Sequence, residues 1–133
     1  MIIPALHFCG DCIEAIALYE KAFNTKAETI ITNRDFEPDG HVYADDHEIA
    51  HAEMTIRGTK VFMNDRFGNE RRTTYCGVRL IIMFKSVDEL LACYEYFKDG
   101  SEIIDEFEKV SYSELAGIFL DKFGVQWGFM VGI

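Results

Sequence analysis

Residues 11–20 and 86–95 are two versions of one design. Laid over each other at a constant offset of 75, Asp11 falls on Ser86, Glu14 on Glu89, and the run Ala17-Leu18-Tyr19-Glu20 on Ala92-Cys93-Tyr94-Glu95. Each segment opens as a capping box, an N-cap oxygen with a glutamate three residues later. Each continues with apolar residues at helical spacing: Cys12, Ala15, Ile16, Tyr19 and Phe23 in the first, Val87, Leu90, Leu91, Tyr94 and Phe97 in the second. A short apolar strand precedes each helix, at 2–8 and at 78–84. Strand-like pieces follow: 27–32, 49–56 and 60–64 after the first helix, and 102–107, 115–120 and 125–131 after the second. Each half therefore reads β-α-β-β-β. One such unit cannot cover both faces of its own sheet, so the repeat predicts two modules that bury one another's apolar faces. The polar run GNERRTTY, 68–75, is the expected linker between module one (1–67) and module two (76–133).

At 133 residues, with 49% apolar and 14% aromatic content, the chain suits one compact α+β domain with a substantial core. Its net charge of −10 excludes nucleic acid and anionic membrane surfaces as natural partners, because both would repel most of its exterior. No window approaches the ~18 apolar residues of a membrane span, and the first residues, MIIPALHF, lack a basic region before a long apolar run. The expectation is a soluble, cytoplasmic protein. Cys9, Cys12, Cys76 and Cys93 then read as reduced thiols rather than a disulfide framework.

Two motifs invite stronger readings. His47-Glu48-Ile49-Ala50-His51 matches the zinc-protease pattern, which works only on a helix, where imidazoles four apart stand about 6 Å along the axis. Here Ala52, Met54 and Ile56 alternate with His51, Glu53 and Thr55, the period of a half-buried strand. In an extended chain the two histidines stand about 13 Å apart and cannot share one ion. Cys9-Gly10-Asp11-Cys12 opens a helix, where the N-terminus would favour a thiolate. A redox pair, a zinc clip with Cys76 and Cys93, and two ordinary thiols are the competing readings; the last needs no further ligand or partner.

The runs ALHFCGDCIEAIALYEKAF, IAHAEMTIRGTKVFMND and GIFLDKFGVQWGFMV resemble the PhnB-like branch of the glyoxalase/bleomycin resistance/dioxygenase superfamily, also called the vicinal oxygen chelate superfamily. The resemblance spans nearly the whole chain. It implies paired β-α-β-β-β modules whose curled mixed sheet forms an open, barrel-like wall around a small-molecule cavity, with the helices outside, commonly in a homodimer. Enzymes of that superfamily hold a divalent metal with His, Gln or Glu from four strands. By the resemblance those positions fall here on Ile3 or Pro4, Phe62 or Met63, Arg79, and Gly128. None is a metal ligand, and the guanidinium of Arg79 would repel a divalent cation. The methyltransferase label once attached to some relatives gains no support, since no Gly-rich strand-to-helix loop offers a site for a nucleotide methyl donor.

Strand alternation supplies the candidate ligand-binding residues. If Leu6 and Phe8 face the first helix, then His7 faces the cavity, and the same phase carries His51, Glu53, Arg79 and Gln126 there. Tyr112 is a candidate aromatic wall, whereas Trp127, Val125 and Phe129 share the opposite phase and belong to packing. For each polar candidate a structural role competes. His7 could be a hydrogen-bonded core residue, His51 a strand-edge residue, and Arg79 the ion-pair partner of Glu53. On the functional side, Arg79 would anchor an anionic or carbonyl-bearing organic ligand, with His7 or His51 handling a proton.

Three functions follow: a metal-free, cofactor-free binder of a small organic ligand; a metal-dependent lyase, isomerase or dioxygenase using His7, His51 and Glu53 as displaced ligands; and a structural dimer with a filled cavity. The acidic loop 33–46 is the natural lid in the first case, and it lacks the alternating oxygen ligands of an EF-hand loop.

Overall fold

The computed structural model describes residues 1–35, 48–65 and 77–132. The chain divides into two compact units, Met1–Arg71 and Arg72–Ile133. The linker 68–75, most of the loop 33–46, His47 and Cys76 lie outside the described residues.

Module one runs β1 (Ala5–Phe8), α1 (Cys12–Ala22), β2 (Ala27–Thr32), β3 (Ile49–Ile56) and β4 (Thr59–Asp65). Module two repeats the order as β5 (Leu80–Phe84), α2 (Val87–Phe97), β6 (Glu102–Val110), β7 (Ser113–Leu120) and β8 (Gln126–Val131). The fold is α+β: two four-stranded mixed sheets, ordered β1-β4-β3-β2 and β5-β8-β7-β6. In both, the first strand pairs parallel to the last, and the other ladders are antiparallel. The parallel pairing is possible because the helix and the strands after it return the chain to the first strand's edge. The repeat thus extends from sequence to strand order and direction.

In each module the helix and sheet bury most of what the periodicities predict. Cys12, Ala15, Ile16 and Tyr19 of α1 are buried, as are Phe8, Ala52, Met54, Val61 and Met63 of the sheet. Phe8 and Tyr19 pack ring to ring at 6.4 Å. In module two, Phe97 of α2 lies against Phe119, Trp127 and Phe129, with centroids 5.4–5.7 Å apart, so packing is indeed the role of that strand phase. Each such side chain contributes roughly 1.5–3 kcal/mol on removal from water.

Three local expectations are corrected. Asp11 occupies the N-cap position of α1 but makes no side-chain cap; its Oδ1 instead accepts from the Cys9 amide at 3.3 Å. The cap comes from Asp65 at the end of β4, buried at 2% exposure, whose carboxylate accepts from Gly10 (2.7 Å), Cys12 (3.0 Å) and Ile49 (2.9 Å) amides. A buried carboxylate meeting three donors is the better solution, since the Cys12 and Ile49 amides it caps are themselves buried. At α2 the local cap holds: Ser86 Oγ accepts from the Glu89 amide at 3.1 Å. Second, β1 starts at Ala5 rather than residue 2, because Pro4 has no N–H for the ladder, although its carbonyl still accepts from Phe62 N at 2.9 Å. Third, Leu91 of the predicted stripe is 44% exposed, and Cys93 is buried in its place.

The hairpin between β3 and β4 turns at Arg57 (φ 50°) and Gly58 (φ 88°). Two left-handed residues in succession make the turn whose twist matches its strands. No helix among the described residues is long and apolar enough to cross a membrane.

Candidate functional site

Strand β3 answers the protease motif directly. His51 lies within an eight-residue strand and Glu48 in a bend before it, so the helical geometry that two zinc-binding histidines require is absent from residues 48–51. His51 Nε2 donates to Glu53 Oε2 at 2.9 Å, and the ring meets Phe62 edge-on with centroids 4.7 Å apart. Glu53 is engaged on its other oxygen by Lys60 Nζ at 3.1 Å, and Lys60 also reaches Glu28 at 3.3 Å. The hydrogen bond from His51, then that from Lys60, holds the Glu53 carboxyl below the usual glutamate range. Bonds to Glu53 and then Glu28 hold the Lys60 ammonium above its usual value. Glu53 thus has an ion-pair partner within its own module, Lys60.

His7 is exposed rather than buried in the core, and its Nδ1 donates to Asn64 Oδ1 at 2.6 Å. His7, Asn64 and His51 share one face of sheet one, but β4 separates β1 from β3, so the strands are not the direct neighbours that a shared metal site was expected to need. Among the described residues no three His, Cys, Asp or Glu side chains are grouped to hold an ion. The positions assigned to metal ligands by the resemblance fit no better. Ile3 and Pro4 precede β1, Phe62 packs on His51, and Met63 is buried toward the core. Arg79 and Gly128 remain, and neither has a side-chain lone pair to give a cation.

The Cys9/Cys12 pair is equally unsuited to redox work. Cys12 is fully buried, and burial, followed by the negative charges of Asp65 and Asp11, pushes its thiol far above the ordinary range. The expected result is that Cys12 does not react with a thiol reagent at pH 8 in the native protein and reacts fully in denaturant. Peptide mapping after alkylation reads this, and rapid native labelling of Cys12 would contradict it.

Module two carries a concave surface. A cleft of about 390 Å³ opens on the face of its sheet opposite α2. Ile81 of β5, Gly128 of β8, Ile118 of β7 and Asp105 of β6 are successive partners across the four strands, so one row of residues spans its floor. Gly128 is buried, and a Cβ there would stand 3.4 Å from Ile81 Cγ1 and 3.5 Å from Arg79 Cδ. The absence of a side chain at Gly128 leaves the floor low beside the arginine.

Two of the six candidate ligand residues, Arg79 and Tyr112, line this cleft. His7, His51 and Glu53 belong to the sheet of module one. Gln126, two residues before Gly128, does not line the cleft; it is 5% exposed, and its Oε1 meets no hydrogen-bond donor among the described residues. Asp105, Glu106 and Glu108 on β6 were not anticipated. Their signal was present in EIIDEFEKV, where acids fall at both strand phases of an edge strand, a pattern that also discourages edge pairing.

Comparison with known proteins places this architecture. The profile of the glyoxalase/bleomycin resistance protein/dioxygenase superfamily matches residues 2–129, and the chain belongs to that superfamily. The protein YjdN of Escherichia coli K12 is 25% identical over 134 aligned residues, covering 93% of this chain and 90% of its own. Among solved structures, a PhnB protein from Bacillus cereus matches with a TM-score of 0.84 at 20% identity, covering 98% of both chains. The protein PA1353 from Pseudomonas aeruginosa reaches 0.85 at 20% identity, covering 99% of this chain and 97% of its own. The fosfomycin resistance protein FosX from Listeria monocytogenes matches at 0.68 and 13% identity, covering 100% and 91%. These structural likenesses establish the shared fold.

Proposed function

We propose that this chain is a PhnB-like binding protein that takes a small organic ligand into the module-two cleft without a metal ion. The observation carrying this reading is Arg79 beside Gly128: a fixed cation flanks an open floor at two positions where metal-using relatives would place ligands. A guanidinium offers five donors in a planar fork and never loses its charge, so it can orient a carboxylate, phosphate or carbonyl oxygen as a metal would, without coordination. Arg79 makes no hydrogen bond or ion pair among the described residues, which leaves those donors available. Ile81, Ile118 and Met130 supply apolar contact beneath the ligand. The cleft lies within the usual size range of small-molecule sites. FosX has been crystallised with Mn(II) and sulfate, so the fold accommodates both a metal and an anion in another sequence.

A homodimer, as the resemblance implies, and a cytoplasmic location, as the composition suggests, are part of this proposal. The metal-dependent alternative needs His7, His51 and Glu53 around one ion, and the engagement of Glu53 by Lys60 disfavours it.

The test is a thermal-shift and calorimetric screen of carboxylates, phosphates and aromatic acids at low ionic strength. Binding is expected from anionic members, with Arg79→Gln weakening it about tenfold or more, the scale of a charge-assisted bond worth roughly 1.5–3 kcal/mol. Gly128→Leu, which fills the floor, should abolish it. The reading fails if no anion raises the melting temperature, or if protein purified without chelators carries a stoichiometric divalent metal.

A further inference from the structure

The cleft holds a second kind of charge. Asp105, Glu106 and Glu108 form its wall on β6, and Tyr112, 73% exposed, stands on the turn that follows. Arg79 enters from the opposite edge, just before β5. The order β5-β8-β7-β6 puts three strand intervals, about 14 Å of backbone, between the two walls. Across that span the opposite charges do not neutralise each other: none of these four side chains makes an ion pair among the described residues. Among the described residues, four ionic groups thus stand without an ion-pair partner around one apolar-floored cleft.

A simple anion would satisfy Arg79 and leave the three carboxylates of the far wall without a counter-charge, a mild repulsion that is felt most at low ionic strength. A ligand with a protonated amine at the far end removes that conflict. The carboxylates would accept its N–H donors, and the tyrosine ring would offer an aromatic face to its charge. The wall carries more negative than positive charge, so the ammonium is the better-served end.

Resting on the reading of the cleft as a ligand site, we infer that its ligand class is dipolar: an anionic group held by Arg79 and a protonated amine held by Asp105, Glu106 and Glu108, joined by an apolar chain of several atoms.

Isothermal titration of the full chain at low ionic strength with hexanoate, hexylamine and ω-aminohexanoate separates the possibilities. The dipolar probe is expected to bind at least tenfold more tightly than either single-charge probe. In the triple variant Asp105→Asn, Glu106→Gln, Glu108→Gln that preference should vanish while hexanoate binding is retained or improved. In Arg79→Gln the preference should vanish with hexanoate binding lost. All four residues are exposed, and circular dichroism checks that the variants fold. If hexanoate binds as well as its amino derivative, the inference is overturned and the anion-binding reading stands. If none of the three binds, the inference is overturned too, and the anion screen decides separately whether the reading survives.

Discussion

Asp65→Ala is expected to cost about 3–5 kcal/mol, among the largest losses available to a single substitution in module one. The carboxylate is 2% exposed and accepts from three backbone amides on two segments, Gly10 and Cys12 before and at the start of α1, and Ile49 at the start of β3. Truncation leaves the buried Cys12 and Ile49 donors without a partner, at about 1–3 kcal/mol each where water cannot enter, while the part-buried Gly10 amide can turn to water. It also removes negative charge from a helix N-terminus, worth a further 0.3–1 kcal/mol on the usual scale. The three terms overlap, since a water molecule admitted at one amide relieves its neighbours, and the sum is reduced accordingly. Asp65→Asn keeps one acceptor oxygen and should lose about half as much. Urea unfolding followed by far-ultraviolet circular dichroism reads both as shifts in midpoint at constant slope. A loss under 1 kcal/mol for the alanine variant would falsify the capping role and return the α1 cap to Asp11.

That substitution also shows where sequence reading reaches its limit. The N-terminus of α1 was legible, because capping-box chemistry is local and Asp11 with Glu14 fits its spacing. The residue that satisfies the amides was not, because Asp65 lies 53 residues from Cys12 and reaches it only through the parallel pairing of β1 with β4. Strands β2 and β3 were read to the residue, since alternation of Ala52, Met54 and Ile56 with polar neighbours is a direct consequence of the pleat. Strand β6 was cut short at Phe107, although it runs to Val110, because its register shifts interrupt the alternation.

The candidate site was legible in one half only. Arg79 stands out in sequence as a lone cation entering an apolar strand, and the family pattern marks Gly128. Asp105, Glu106 and Glu108 look like ordinary solvated acids until the sheet order sets β6 across from β5. His51 and Glu53 were grouped correctly as same-face neighbours, but the ion pair of Glu53 with Lys60 was not foreseen. Polar groups whose partners lie on distant strands cannot be assigned from spacing, whereas apolar phase can, because burial depends on one strand's own geometry.

Trp127→Ala should destabilise module two by about 3–5 kcal/mol. The indole is fully buried and lies 5.7 Å from the Phe97 ring and 6.4 Å from Phe129, so truncation opens a cavity within an aromatic cluster whose rings cannot all collapse into it. A second loss is polar. Trp127 Nε1 donates to Asp121 Oδ2 at 2.9 Å, while Asp121 Oδ1 accepts from the Phe123 and Val125 amides at 2.9 and 3.0 Å. The indole therefore ties the β7–β8 turn to the strand that carries Gly128. Trp127→Phe keeps most of the packing and removes that tie, so its expected cost is smaller, about 1–3 kcal/mol. As the chain has one tryptophan, its fluorescence reports this site in the parent protein, and circular dichroism must follow the variants. Ligand titration then separates the two effects. Loosening of the turn in Trp127→Phe should propagate along β8 to the cleft floor and weaken anion binding severalfold, while Leu90→Ala, an equally buried change on α2, should lower stability and leave affinity unchanged. Equal losses of affinity in both variants would show that binding follows global stability rather than the anchoring of β8.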